Sequence, residues 1–188
     1  TVNTLRLWTA ESPDGFDLQL FNDMHYQRAV QKANQAEDLS RVLYPNDSGP
    51  SGKALRLKQQ YFFVSASIQD ILRGFKLRHG NDFEKLPDFA TIQLNDTHPV
   101  VAIPELMRLL IDEENLDWDT AWNIITRVFA YTNHTILSEA LEKWPIDLFS
   151  NTIPRVYDIL EEIDRRNKDH FKELWPEDWD RRHRMTII

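Results

Sequence analysis

The stretch Leu94-Asn95-Asp96-Thr97-His98-Pro99 decides the fold class and the candidate site of this chain. It follows a short β-branched run at residues 90–93 and precedes an apolar-periodic segment at residues 100–110. A strand that ends in a polar loop and then enters a helix is typical of an open α/β sheet, where ligands bind at the carboxyl ends of the strands. An imidazole beside a carboxylate can bind or protonate a substrate there, so Asp96 and His98 are candidate site residues.

The same arrangement recurs further along the chain. A strand-like run at residues 128–131 leads into Thr132-Asn133-His134-Thr135 and a further predicted helix. If the two strands are parallel in one sheet, both loops leave the same edge and converge, which favours a ligand site. The alternative is purely structural. Asn95, Asp96 and Thr97 would then cap the next helix, and Asn133 and Thr135 would form a turn.

Composition restricts the possible functions. The 188 residues are 41% hydrophobic, which is enough to bury a core. The net charge of −8 argues against a nucleic acid or an anionic membrane as partner. No run of about 18 apolar residues predicts a membrane span. The absence of cysteine excludes disulfides and favours a reducing compartment, so a cytoplasmic location is expected.

The two ends of the chain resemble strands more than ordinary termini. Residues 4–8 form a strand-like run, and residues 185–188 are β-prone. Because native termini are usually polar and loosely ordered, we expect a segment of a longer polypeptide. No repeat or linker indicates an internal boundary, so residues 1–188 are expected to be a single segment.

The spacing of apolar residues predicts an α/β fold that is rich in helix. Residues 53–77 give the strongest helix prediction, and their wide apolar face predicts deep burial. A polar helix is predicted at residues 21–38 and a loop at residues 45–52. Further helices are predicted at residues 103–114, 118–126, 138–148 (with Ser138 as N-cap) and 154–174.

Several familiar sites are missing from the sequence. It contains neither G-x-G-x-x-G, nor a P-loop, nor a G-x-S-x-G elbow. The six histidines lack H-E-x-x-H or other tight ligand spacing, so no metal site is expected. Neutral polar groups and histidines suit a hydroxyl-rich ligand such as a sugar, and the loop Asn46-Asp47-Ser48 supplies the same chemistry. The alternative for this loop is a mobile surface turn.

Five blocks of the sequence, in order, resemble the α-glucan phosphorylases, the family of glycogen, starch and maltodextrin phosphorylase. They are TVNTLRLW (1–8), RVLYPND (41–47), LRLKQQYF (55–62), IQLNDTHP (92–99) and YTNHT (131–135). The resemblance implies a fragment of the N-terminal, Rossmann-like domain of a two-domain glycosyltransferase of the GT-B type. It also implies that the parent enzyme releases glucose 1-phosphate from an α-1,4-glucan with inorganic phosphate, and that the fragment alone is inactive.

The resemblance further implies a cofactor, pyridoxal 5′-phosphate, whose phosphate acts as a proton shuttle in the family. The family's Schiff-base lysine belongs to the C-terminal domain. No lysine of this sequence is therefore assigned that role, and no cofactor-binding residue is expected in this chain.

The resemblance also assigns roles to individual residues. Asn46, Asp47 and Ser48 match the loop that gates the catalytic cleft. His134 matches the histidine that contacts the glucose at the cleavage site, partly through its main-chain carbonyl. His134 and Asp47 are thus the predicted catalytic residues, while Asn46, Ser48, Asp96 and His98 are predicted to bind substrate. Asp96 and His98 match a pair on the acceptor-sugar side.

Two surface features complete what the resemblance implies. Residues Tyr26 to Ser40 match a helix that projects across the dimer interface, so a homodimer is expected. Arg73 matches one of two arginines that hold the AMP phosphate in nucleotide-activated members. Because Gly74 stands where the second arginine would be, weak or absent AMP activation is predicted. A competing hypothesis is a stand-alone carbohydrate-binding or helical interaction module that uses the same loops.

Overall fold

The structure is a computed structural model that describes residues 2–137, 139 and 141–188. The chain divides into two compact units, Thr1–Asn81 and Asp82–Ile188. Among the residues described, no helix combines the length and the apolar character needed to cross a bilayer. The helix-rich α/β composition that the sequence predicts is confirmed, with a small parallel sheet in the second unit.

The described part of the first unit is helical. Its helices are α1 (Leu18–Asn22), α2 (Tyr26–Ala29), α3 (Gln31–Arg41) and α4 (Pro50–His79). Helix α4 begins with a proline at its first position, where a missing N–H costs nothing. It ends at Gly80, whose φ of 71° suits a residue without a Cβ. The helix predicted at residues 53–77 is confirmed. Its buried apolar face, however, is narrower than expected and consists of Leu57, Ile68, Leu72 and Phe75.

Two predictions for the first unit are wrong. Residues 4–8 are not a strand, because the described part of this unit offers no neighbouring strand to pair with. Instead the Trp8 indole donates to the Ser67 hydroxyl at 3.0 Å, and Arg6 pairs with Asp70.

The helix predicted at residues 21–38 is broken into three. Met24 has a φ of 62°, and the N–H of His25 donates to the carbonyl of Leu20 at 2.8 Å, which ends α1. A left-handed residue followed by a bond of this span is a common helix stop. The weak apolar spacing of this region offers little packing energy to override it.

The second unit places two strands among helices. Its elements are a 3₁₀ turn (Phe83–Lys85), α5 (Leu86–Phe89), β1 (Ile92–Asn95), α6 (Ala102–Arg108), a π-helical turn (Leu109–Glu113), α7 (Trp118–Val128), β2 (Phe129–Thr132), α8 (Ile146–Thr152), α9 (Pro154–Leu174) and α10 (Trp179–Arg184). Strands β1 and β2 pair in parallel, with Ile92 opposite Phe129 and Asn95 opposite Thr132. A parallel pair needs a crossover, which α6 and α7 supply.

Helices α6, α7 and α9 build the core of this unit. The fully buried side chains include Leu106, Met107, Leu110, Ile124, Val128, Val156 and Ile159. Helix α7 begins where the Asp117 carboxylate accepts the N–H of Thr120 at 3.0 Å, a favourable N-cap. The helices predicted at residues 103–114, 118–126 and 154–174 are confirmed, with small shifts at their ends and a π-helical turn closing the first.

Other predictions for the second unit are wrong. Of the helix predicted at residues 138–148, the described residues 141–145 are not helical, and α8 begins only at Ile146. Pro145 explains the delay, because a proline disfavours helical backbone in the residue before it. The predicted N-cap Ser138 lies outside the described residues. Helix α10 was not predicted, and the β-prone residues 185–188 form no strand.

Candidate functional site

The parallel strands end side by side and bring their loops together. Asp96 follows β1 directly, and its backbone N–H donates to the carbonyl of Thr132 at the end of β2, at 2.8 Å. Asp96 has a φ of 58°, in the left-handed region that Asp and Asn tolerate better than most residues. The predicted parallel pairing and the convergence of the two loops are therefore confirmed. Both strands run one or two residues further than predicted, so Asn95 belongs to β1.

His134 contacts two residues of the opening motif. Its backbone N–H donates to Oδ1 of Asp96 at 2.7 Å. Its ring nitrogen Nε2 lies 3.3 Å from Oδ1 of Asn95. A carboxylate acceptor makes a stronger bond to an N–H than a neutral oxygen does, so the first contact fixes the main chain of His134 firmly. We call Asn95, Asp96 and His134 the strand-end cluster.

The capping interpretation of the first loop is wrong. Helix α6 has Val101 as its N-cap and receives no side-chain capping bond there. The Thr97 hydroxyl instead lies 3.4 Å from a carboxylate oxygen of Glu142. His98 is half-buried in the turn that precedes α6. The carboxylate of Asp96 is thus directed at the second loop and not at the next helix.

The turn interpretation of the second loop is right for the neighbours of His134. The Asn133 side chain accepts the N–H of Thr135 at 3.1 Å, and the Thr135 hydroxyl accepts the N–H of Leu137 at 3.2 Å. Such Asx and Ser/Thr turns bend the backbone locally. They leave the side chain of His134 exposed at the end of the strand.

The loop Asn46-Asp47-Ser48 lies in the first unit, between α3 and α4. The Asn46 side chain accepts both the N–H of Ser48, at 3.0 Å, and its hydroxyl, at 2.8 Å. One carboxylate oxygen of Asp47 lies 3.9 Å from Nε of Arg56 on α4. Asp47 and Ser48 are exposed, so their polar groups face solvent within this unit.

Helix α4 holds this loop against its own first turns. The carbonyl oxygen of Asn46 lies 1.9 Å from the position that a Cβ of residue 52 would occupy, so only glycine fits there. The Arg56 guanidinium lies over the ring of Tyr44, 5.2 Å from its centroid. The buried Gln59 amide donates to the carbonyl of Val42 at 2.8 Å. Contacts with α4 therefore hold both the loop and the residues just before it. The interpretation as a simple mobile turn does not include these contacts.

The predicted effector residue Arg73 is engaged within the first unit. Its guanidinium lies 2.6 Å from Asp70, which also pairs with Arg6. Hydrogen bonds from Arg73 and Arg6 hold the pKa of the Asp70 carboxyl below its usual value. A phosphate that bound Arg73 would have to compete with this carboxylate.

The side chains of the strand-end cluster are polar but are not grouped as metal ligands. Among residues 2–137, 139 and 141–188, no three His, Asp or Glu side chains come together as metal ligands would. A neighbouring cavity of about 460 Å³ is lined by apolar side chains, among them Leu94, Ile103, Trp122 and Phe129. Its lining suits hydrophobic packing, so the polar strand ends are the better candidate for a hydroxylated ligand.

Sequence reasoning missed three residues that shape these sites. The sequence predicts a loop position for Asn95, whereas this residue ends β1 and contacts His134 from there. Gly52, placed by the sequence in a flexible loop, serves in the first turn of a helix. Gln59 reads as an ordinary helix residue, and only its burial reveals its role.

Comparison with known proteins shows which family the chain resembles. The family model described as carbohydrate phosphorylase matches residues 1–188. The chain is 53% identical to the brain form of glycogen phosphorylase from Bos taurus and 52% identical to that from Homo sapiens, in each case over 195 aligned residues. It is 51% identical to the human liver form. Each alignment covers all of this chain and 23% of the relative, so the chain spans about a quarter of the length of these proteins.

Proposed function

Because the chain belongs to the carbohydrate phosphorylase family, we propose that it is part of an α-1,4-glucan phosphorylase. The complete enzyme would release glucose 1-phosphate from glycogen or maltodextrin with inorganic phosphate. The relatives named above are glycogen phosphorylases of which the chain covers 23%, so the reaction needs groups beyond those described here. The chain alone would have no turnover, because catalysis depends on holding all reacting groups together.

The observation that carries this proposal is the contact of His134 with Asn95 and Asp96. Two polar strand ends, far apart in sequence, meet at one edge of a parallel pair, where α/β proteins bind ligands. The imidazole of His134 and the amide of Asn95 are exposed and offer donors and acceptors to sugar hydroxyls. We propose that His134 contacts the glucose unit and that His98 lines the acceptor side. The loop of Asn46, Asp47 and Ser48 would gate the cleft.

The residues of the strand-end cluster do not fit pyridoxal 5′-phosphate. A phosphate is held by arginine, lysine or backbone N–H groups. This edge instead presents the carboxylate of Asp96, and the hydroxyl of Thr97 lies beside the carboxylate of Glu142. These negative charges would repel a phosphate. We propose that the cofactor and its Schiff-base lysine belong to parts of the enzyme outside this sequence, as the resemblance implies.

Two further proposals concern architecture and assembly. The β1–β2 pair would form part of a larger Rossmann-like sheet in the N-terminal domain of a GT-B glycosyltransferase. The enzyme would be a cytoplasmic homodimer, with the helix region Tyr26 to Ser40 in the interface. Support for the interface comes from α3, in which no residue is buried, because a helix without a buried face suits a partner surface.

AMP activation is proposed to be weak or absent. Gly74 supplies no guanidinium, and Arg73 is already paired with Asp70. The activity of the complete enzyme should therefore change little when AMP is added. A several-fold rise in activity with AMP would refute this proposal.

The test of the main proposal uses the complete protein with pyridoxal phosphate. Glucose 1-phosphate is measured after mixing it with maltodextrin and inorganic phosphate, and a phosphate-free reaction is the control. Phosphate-dependent product supports the proposal, and no product refutes it. The competing module hypothesis predicts a coding region that starts just before Thr1 and stops soon after Ile188. A reading frame that continues on both sides supports the enzyme.

A further inference from the structure

The Asp96 carboxylate lies at the proposed sugar site, but it already forms a hydrogen bond within the protein. Its Oδ1 accepts the backbone N–H of His134 at 2.7 Å. Its own backbone N–H donates to the carbonyl of Thr132 at 2.8 Å. Asp96 therefore makes two hydrogen bonds to the end of the second strand, one to Thr132 and one to His134.

This double contact determines the path of the backbone at residues 132–134. The carbonyl of Thr132 and the N–H of His134 are both fixed by a single residue across the sheet. His134 lies two residues beyond the end of the paired strand, where the ladder no longer restrains it. Without the Asp96 carboxylate, its N–H would depend on water, and the main chain would be free to turn.

The conformation of Asp96 agrees with such a role. With a φ of 58°, the residue leaves the strand direction at once and turns back towards β2. A left-handed non-glycine residue is uncommon and is retained where surrounding contacts determine it. Here those contacts are the bonds to Thr132 and His134.

We propose that Asp96 is a positioning residue that orients His134, and that it acts through this histidine and not by a charged contact with the sugar. The inference rests on the proposed function, in which His134 contacts the glucose unit. A displacement of about 1 Å in such a group can cost roughly 100-fold in rate. The His134 N–H needs an acceptor oxygen, which an amide can also supply, although with a weaker bond than a carboxylate makes.

Two substitutions in the complete enzyme separate these roles. Asp96→Asn keeps an acceptor oxygen and tolerates positive φ, whereas Asp96→Gly tolerates positive φ but loses the acceptor. Neither variant introduces backbone strain, so they differ in the hydrogen bond. We expect Asp96→Asn to lower kcat by less than about fivefold and Asp96→Gly by roughly 100-fold, with a smaller change in the KM for maltodextrin. In a His134→Ala background, Asp96→Gly should have little further effect.

Amide hydrogen exchange at His134 gives a readout that does not depend on activity. Protection of this amide should be retained in Asp96→Asn and lost in Asp96→Gly. Unchanged protection in Asp96→Gly would overturn the inference, and so would an Asp96→Asn variant as inactive as Asp96→Gly with its protection intact. An inactive parent enzyme would refute the proposed function, while the exchange comparison would still decide whether Asp96 positions His134.

Discussion

The carbonyl oxygen of Asn46 lies 1.9 Å from the point where a side chain at Gly52 would begin. The first turn of α4 and the proposed gating loop are therefore packed backbone to backbone. Any Cβ at residue 52 must displace the loop, because the atom it would meet belongs to the main chain.

We predict that Gly52→Ala lowers the activity of the complete enzyme at least about tenfold, because the displaced loop misplaces Asp47. The same change should fail to give the gain of roughly 0.5 to 1 kcal/mol that alanine usually brings to a helix. The matched control is Gly74→Ala in the same helix. Its nearest neighbour, an Arg78 side-chain nitrogen at 3.5 Å, leaves room for a methyl group. Equal effects of the two substitutions on thermal unfolding and on activity would show that the close approach of Asn46 to residue 52 does not determine the position of the loop.

A second prediction concerns Gln59, which is 3% exposed and donates to the carbonyl of Val42. Gln59→Met keeps the size of the side chain but leaves this carbonyl without its amide donor. The free energy of unfolding of the chain should fall by roughly 0.5 to 1.5 kcal/mol, the net contribution of a typical hydrogen bond. Lys58→Met, at an exposed position of the same helix, should change it by less than about 0.5 kcal/mol. Chemical denaturation measures both variants, and a neutral Gln59→Met would show that Gln59 does not anchor this segment.

These two residues show why sequence alone could not define the structure of the proposed gating loop. The pattern Asn46-Asp47-Ser48, with nearby Pro and Gly, correctly predicted a loop before a long helix. It did not reveal that the helix begins at Pro50, because Ser51 and Gly52 are weak helix formers taken by themselves. Tertiary packing overrides that preference here. Gly52 allows the Asn46 backbone to approach closely, and Gln59 binds a carbonyl far away in sequence.

More of the strand-end cluster than of the loop could be predicted from the sequence. The recurrence of a strand followed by a polar, histidine-containing loop indicated parallel pairing, which the structure has. The direction of the Asp96 carboxylate could not be predicted, because it depends on the left-handed backbone of one residue. The strand expected at residues 4–8 fails for the opposite reason. Strand propensity stabilises nothing without a neighbour, and the described part of the first unit has none.

A third prediction tests the ring contact of His134. Asn95→Ala removes the oxygen that lies 3.3 Å from Nε2, so the imidazole becomes free to rotate. The kcat of the complete enzyme should fall about tenfold, with little change in cofactor content.

The matched control is Gln93→Ala on the same strand. Gln93 also reaches across to β2, where it donates to the Thr132 hydroxyl at 2.7 Å, and this bond does not involve His134. Activity within about twofold of the parent is expected for it. Equal losses of kcat in the two variants would show that Asn95 acts through the pairing of the strands and not through the His134 ring.

A fourth prediction concerns pH and the charged face of α9. Hydrogen bonds from Arg165 and then Arg166 lower the pKa of Glu162 from 4.5 to about 2. A carboxyl whose pKa is lower in the folded state stabilises that state above its unfolded pKa, and the contribution is lost as pH falls through the folded value. Between pH 4.5 and about 2, Glu162→Gln should therefore lose less stability than the parent chain. Glu173→Gln, at an exposed position of the same helix, serves as the control. Denaturation at several pH values measures this, and parallel curves for parent and Glu162→Gln would contradict the prediction.

The most direct test of the central claim, that the strand-end cluster forms part of a glucan cleft, is the kcat of His134→Ala in the complete enzyme. Phosphate-dependent release of glucose 1-phosphate from maltodextrin is measured, with pyridoxal phosphate content determined by absorbance. We expect a fall in kcat of at least roughly 100-fold with unchanged cofactor content, because the substitution removes the group that we propose contacts the reacting sugar. An unchanged kcat would contradict it and remove His134 from the site.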